Sequence, residues 1–304
     1  MAIAIIGAGL TGLAAARRLA DAGATPVVFE KSRGLGGRVA TRRGEHGALD
    51  HGAPLLHGLP DDVVAAAGAH AAPWRDGTVG VPGNSSLPRA LAAGLEVRGA
   101  VRVVGLERAG AVWRLRLEGG GAVDGFDAVL VAIPQPQAVA LLGTLADGFP
   151  DLGTVRMRPG LTVMAWLGDR LGGPAWRELA APLKLAVRND AKPGREPGGG
   201  LDGWVVHAAD AEAEARLEDD PEAVARDLAA AFRAQTGAGP AAAISGHRWR
   251  YARVARPLGR SHLWHPGLGL GLAGDWCLGD AAGDAVASGR ALAEAVCASR
   301  SGRR

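Results

Sequence analysis

Gly7, Gly9 and Gly12 stand at the spacing of a turn that lets backbone close on a pyrophosphate, and an acid, Glu30, comes later where it can reach a ribose. Each residue type has its own reason. Gly7 makes the tight turn, Gly9 lets the main chain approach the ligand, and Gly12 allows a helix to pack closely on a strand. Leu10 and Thr11 lead into that helix, whose first amides lack partners within it and attract an anion. Glu30 can accept hydrogen bonds from a ribose diol, and its charge repels a 2′-phosphate. The chemistry implied is binding of an adenine dinucleotide, NAD or FAD alike.

Three elements must position these residues. Ala2-Ile-Ala-Ile-Ile6 is a continuous apolar run, as expected for a strand buried on both faces of a parallel sheet. Residues 13–22 have the Leu, Ala and Arg content of a helix, which Gly23 ends. Residues 25–29 form a second strand that delivers Glu30.

The residues just after the acid separate FAD from NAD. Lys31-Ser-Arg-Gly-Leu-Gly-Gly-Arg38 is a glycine-rich loop, where a simple NAD enzyme would usually begin another helix. Gly36, Gly37 and Arg38 can bring backbone and a guanidinium to a second side of a pyrophosphate. Near the other end, residues 267–273 form a Gly-spaced strand running into Gly274 and Asp275. Asp275 is placed to accept from a sugar-alcohol hydroxyl. A helix then starts around Gly283 and Ala285, and its N-terminus suits a ligand group that gains negative charge.

These three motifs together resemble the glutathione-reductase-like FAD-binding fold, in the branch containing the amine oxidases and renalases. Gly37-Arg-Val-Ala-Thr-Arg-Arg43, Asp50-His-Gly-Ala53, Gly80-Val-Pro-Gly83, Arg188-Asn-Asp-Ala-Lys-Pro-Gly-Arg195, Trp204-Val-Val-His-Ala208, His247-Arg-Trp-Arg-Tyr-Ala252 and Gly274-Asp-Trp-Cys277 are similar, in order, to bacterial renalase-type proteins. The resemblance implies an α/β fold: a Rossmann-like FAD-binding domain with an inserted α+β substrate domain. It implies non-covalent FAD, with Val101 and Val103, on a strand over residues 96–104, beside the adenine and Ala132 on the strand of residues 128–134 that returns toward the flavin. Lys31, Gly52 and Ala53 join the cofactor contacts. Trp249 approaches the flavin ring or serves as a core tryptophan.

The same resemblance implies oxidation of misreduced dihydronicotinamide dinucleotides by hydride transfer to flavin, with reoxidation by oxygen. Cations would then hold substrate phosphate at the pocket mouth: Arg188, Lys192, Arg195, Arg248 and Arg250 are candidates, each with a solvated face as its alternative. Trp249, Lys192 and Arg195 are the candidate catalytic side chains; no Ser/His/Asp set, P-loop or metal-ligand spacing is present. The chain departs from the family at Pro54-Leu-Leu56, where relatives have a Gln-Tyr-Phe-like stretch, and at Ala281-Ala282, where amine oxidases place an aromatic. An amine-oxidase-like or desaturase-like enzyme with an apolar substrate is the second expectation, which Pro54-Leu-Leu56, standing where the relatives line the substrate pocket, favours. A flavin- or dinucleotide-binding module without catalysis is the third.

Cofactor motifs at both ends and in the middle require a discontinuous FAD-binding domain, expected over 1–55, 83–135 and 262–304. Residues 56–82 and 136–261 would form the covering domain, with strands at 162–167, 183–187 and 203–207. Its helix would run from Asp220 or Pro221 through Phe232, and 193–203 would form a mobile connection. The 304 residues suffice for this, and 34 Lys and Arg against 31 Asp and Glu leave a net charge of only +3, which argues against a nucleic-acid partner. Two cysteines without CxxC spacing exclude a disulfide framework. No apolar run suits a membrane span, and no leader is evident, so a small-molecule partner and a cytoplasmic setting are expected. The basic tail of residues 300–304 reads as a solvated end, and His46, His51, His57 and His70 as exposed or hydrogen-bonding loop residues.

Overall fold

The apolar run Ala2–Ile6 is buried on both faces because successive side chains point opposite ways and both sides are covered. In the computed structural model, which describes residues 1–196 and 198–301, Ile3 and Ile5 face one core with Leu13, Leu19, Val28 and Val286. Ala4 and Ile6 face a second core with Phe29, Trp113, Leu115, Phe126 and Val131. The strand sits inside a six-stranded sheet, with Ala128–Val131 and Thr25–Phe29 parallel on either side. Glu96–Arg98 and Leu270–Leu272 extend it in parallel, and Leu263–His265 closes one edge antiparallel.

Two helices, Leu10–Asp21 and Ala282–Ser301, cover the first face. They cross at Gly289, where an added Cβ would lie 2.2 Å from the Thr11 carbonyl oxygen. The second face carries a three-stranded antiparallel sheet of Val103–Ala109, Val112–Leu117 and Ala122–Phe126.

A separate five-stranded antiparallel sheet is built on the long strands Arg156–Leu167 and Ala241–Arg256. Its alternation decides what each face meets. Leu161, Val163, Trp204 and Val206 pack under the helix Pro221–Thr236, through Val224, Leu228 and Phe232. Asp220 caps this helix by accepting from the Ala223 amide at 2.8 Å, and Pro221 takes its first position, as expected. Thr162, Met164 and Trp166 point the other way, and Leu49 packs against Met164, Trp166 and Val205. That second face therefore roofs the hairpin formed by Arg42–Gly44 and Gly47–Leu49.

Two expectations change. The single strand expected at 96–104 is two strands in different sheets, because Ala100 adopts a positive φ of 56° and Val101 turns back to donate to the Glu30 carbonyl at 2.9 Å. Leu55 and Leu56 are buried rather than lining a pocket, and Leu56 pairs with Thr78 while sharing a core with Ile3 and Leu13. Val63 and Ala67 of the helix Asp61–Ala67 belong to that same core. Pro197, within the connection expected at 193–203, and the tail from residue 302 onward lie outside the described residues. No helix among the described residues is long and apolar enough to cross a membrane.

Candidate functional site

Gly9 is the N-cap of the Leu10–Asp21 helix at φ −76°, and a Cβ built there would meet nothing within 4 Å. Neither backbone strain nor packing requires glycine at this position. Its neighbours differ: a Cβ on Gly12 would lie 1.9 Å from the Gly7 carbonyl oxygen, and Gly7 itself has φ +106°. The helix has no side-chain cap and no acid in its first turn. Bare backbone thus faces open space at the positive end of a helix, which suits an anion approaching the main chain. Ala132 packs beneath, its Cβ 3.3 Å from where a Cβ on Gly12 would stand.

Glu30 ends the second strand and is buried, with Oε2 accepting from the Ala8 amide at 2.9 Å and Oε1 from the Ser32 amide at 2.8 Å. The carboxylate is thereby aimed, and each oxygen keeps a lone pair for a further donor. The second glycine loop lies alongside the first: Gly36 donates to the Ala8 carbonyl at 2.9 Å, and Gly37 lies beside Gly9. Val103 is buried in the second core. Lys31 is exposed and reaches Gln137 at 3.4 Å.

Arg38 and Asp275 meet. A guanidinium nitrogen lies 2.7 Å from Asp275 Oδ1, and another donates to the Ala252 carbonyl at 3.2 Å. Burial works against the Arg38 charge, but Asp275 outweighs it and raises the guanidinium above its ordinary value. Gly274 donates to Ser288 Oγ at 3.0 Å, and Ala285 is buried in the first core. At the start of the last helix the Gly283 amide itself is engaged. It donates to the His57 carbonyl at 3.0 Å, and a Cβ there would collide with the Gly58 oxygen.

Lys192 and Arg195 are also corrected. Neither stands at a pocket mouth; both side chains are buried against Asp50 Oδ2, at 3.1 and 2.6 Å. Thr41 and the Asn84 amide donate to Oδ1 at 2.7 and 2.8 Å. Burial alone would raise the Asp50 carboxyl, but the two cations and these donors bring it to about 2. Lys192 is lowered, because burial and the like charge of Arg195 outweigh the attraction of Asp50. Asn84 donates its side-chain amide to the Ala53 carbonyl at 2.8 Å, so the cluster also fixes Gly52 and Ala53. Gly52 fits closely: a Cβ there would lie 1.9 Å from the Arg38 oxygen.

The other expected phosphate cations are engaged as well. Arg188 is buried beside Asp202 at 3.2 Å and over the Trp204 ring. Arg248 donates to the Leu217 carbonyl, and Arg250 pairs with Glu218.

Trp249 donates to the His51 carbonyl at 3.1 Å and stacks on its ring, with centroids 5.2 Å apart. His247 packs edge-on against both rings. His51 is buried, which leaves the hydrogen-bonding one of its two expected roles. Asn84, Asn189, Thr41, Ser288 and His207 were missed from sequence. Thr41, Asn189 and His207 lie within the stretches that carry the resemblance, and His207 also carried a positional signal, since it alternates with Gly203 and Val205 on one strand face.

The NAD(P)-binding Rossmann-like domain profile matches residues 5–67. Curated relatives match over short stretches: a 15-cis-phytoene desaturase of Synechococcus elongatus is 55% identical over 47 residues, covering 16% of this chain and 10% of the relative. A 4,4′-diapophytoene desaturase of Staphylococcus aureus is 44% identical over 71 residues, covering 22% and 14%. The matched stretches thus span only about a tenth to a seventh of those relatives. Solved structures match throughout: a candidate protoporphyrinogen oxidase from Exiguobacterium at TM-score 0.74 and 16% identity covers 97% of this chain and 98% of that one. A cyclohexylamine oxidase from Brevibacterium oxydans gives 0.71 and 13%, covering 99% of each. The chain therefore has an α/β fold with a Rossmann-like nucleotide-binding region at its start, and it shares that fold along its length with these oxidases.

Proposed function

We propose that the protein is an FAD-dependent oxidoreductase of renalase type, oxidising a dihydronicotinamide or another small hydride donor, with oxygen as the final acceptor. The observation that carries this reading is the unclaimed ground above Gly9, continued by Glu30 on one side and by the Arg38–Asp275 pair on the other. A mononucleotide would leave the second part unexplained. Gly7, Gly9, Leu10, Thr11, Gly12, Gly36 and Gly37 would hold the pyrophosphate by backbone, Glu30 and Lys31 the adenosine ribose, and Arg38, Gly274 and Asp275 the linking chain. FAD, bound without a covalent link, supplies the site that accepts the hydride.

The chain's own part is positioning. Asp50, Lys192, Arg195 and Asn84 lock Gly52 and Ala53, and Trp249 is held by the His51 carbonyl. The five-stranded sheet covers this region and would exclude water from the reacting face. We assign residues 56–82 to the cofactor half, on their shared core with Ile3 and Leu13, and 136–261 to the cover. A cytoplasmic setting and a small-molecule partner belong to the same reading, on the two unpaired cysteines.

An amine-oxidase-like or desaturase-like enzyme is the second reading, favoured by the names of the similar proteins. It loses the support expected from Leu55 and Leu56, which are core residues. Anaerobic mixing with the 2- and 6-dihydro isomers of NAD, NADH and a simple amine tests the choice. Rapid bleaching by a dihydro isomer supports the renalase reading. Reduction by the amine alone retires it, and no reduction by any donor favours a non-catalytic module.

A further inference from the structure

Thr162 lies opposite His207 on one neighbouring strand and opposite His247 on the other, so the three side chains form a row on one sheet face. This is the face that covers the Gly47–Leu49 hairpin. Above its other end, Leu49, Met164, Trp166 and Val205 close the space with apolar contact. The row itself is polar. His51 stands over it, 4.7 Å from the His247 ring, and Thr162 Oγ1 lies 3.4 Å from His207 Nδ1.

Two nitrogens here are buried without a partner, His207 Nε2 and His51 Nδ1. Buried polar atoms are nearly always satisfied, and two orphans on rings that border the same row mark a place for a ligand's own donor or acceptor. The imidazoles are neutral: burial is the largest cause, and it holds His207 at about 3 and both His51 and His247 at about 4. A neutral imidazole has one N–H donor and one bare acceptor, which complements a group that itself both donates and accepts. The cations acting on the row are Lys184, Lys192 and Arg253 at His207, and Arg42 at His247. Asp50 acts on His51, but Lys192 and Arg195 already share its carboxylate. Asp210 is paired with Lys184, and Asp280 with Arg253. An ammonium ion would find no free carboxylate among these groups.

We propose that the row His207–Thr162–His247, with His51 above it, is the donor-recognition subsite and selects an uncharged, planar, amide-like group over an ammonium ion. The inference rests on the oxidoreductase reading and narrows its substrate class. His207 and His51 act as specificity residues, recognising the donor's polar edge while the reacting carbon lies elsewhere.

The test uses the FAD-loaded full chain with benzamide and benzylamine as probes, followed through the flavin absorbance and through competition with the best reducing donor. Benzamide should bind saturably, and benzylamine, protonated at neutral pH, at least about ten-fold more weakly. His207→Leu should weaken benzamide about ten-fold, whereas His207→Gln, which keeps a donor and an acceptor, should stay within about three-fold of wild type. FAD content and thermal midpoint serve as controls for folding. If His207→Leu does not fold, the wild-type preference and the His207→Gln result decide. Benzylamine binding as tightly as benzamide, or an unchanged benzamide affinity in a folded His207→Leu, overturns the inference while the oxidoreductase reading stands. A chain that takes no FAD overturns both.

Discussion

Arg195 places a guanidinium nitrogen 2.6 Å from Asp50 Oδ2, although 145 residues separate them in the chain. The contact joins the segment that leads into Gly52 to the loop beyond the Leu183–Arg188 strand, and it is buried on both sides. Asp50→Asn would leave Lys192 and Arg195 without a counter-charge. We expect a loss of about 3–5 kcal/mol in unfolding free energy, measured by urea denaturation. A loss below about 1 kcal/mol, the range of exposed pairs, would show that the cluster is hydrated rather than buried.

Acid should weaken the fold before ordinary carboxylates titrate. His51, His207 and His247 have folded values of about 4, 3 and 4, below their ordinary 6.5, chiefly through burial. The unfolded chain therefore takes up protons that the folded chain refuses, and stability falls as pH drops from 6.5 toward those values. Asp50 adds a further loss between its ordinary 3.8 and about 2. Urea midpoints should already be lower at about pH 5 than at about pH 7, and His207→Gln should flatten that slope. A flat profile across this interval in the wild type would contradict neutral, buried imidazoles.

The two cysteines should differ in reactivity. Burial pushes the Cys277 thiol up to about 12, with Asp275 adding to the shift, whereas Cys297 is only half-buried. A thiol reagent should modify Cys297 in the native protein and Cys277 only after unfolding. Two equally fast native thiols would show that the Gly274–Cys277 turn opens.

Glu30→Ala should weaken FAD binding about 10- to 100-fold, through the lost ribose acceptor and a loosened Ala8 turn. Arg38→Ala should weaken it as well and leave Asp275 without its cation. Fluorescence titration of the apoprotein measures both. Wild-type affinity in both variants would mean that the cofactor lies elsewhere.

The frame around Gly7, Gly9, Gly12 and Glu30 was legible in sequence because its requirements are local. Gly7, Gly9, Gly12 and Glu30 lie within one βαβ unit, and alternation with apolar burial fixes where each sits. The Asp50 cluster was not legible. Its partners come from residues 41, 84, 189, 192 and 195, and an exposed lysine and a buried one look alike in a single chain. The 96–104 segment misled for a related reason: its alternation is continuous, while the turn at Ala100 is held by distant carbonyls, those of Ser32 and Glu30. His207 lay between these cases, since its alternation was visible but not the strands on either side of it.

The central claim is that the chain folds around non-covalent FAD, and the most direct measurement is the absorbance and stoichiometry of flavin in the purified protein. We expect a yellow protein that carries, or can be reconstituted to, one FAD per chain, and that releases it intact into the supernatant on acid precipitation. A colourless protein that takes up no FAD on reconstitution would contradict the account, and flavin that stays with the precipitate would contradict the non-covalent part of it.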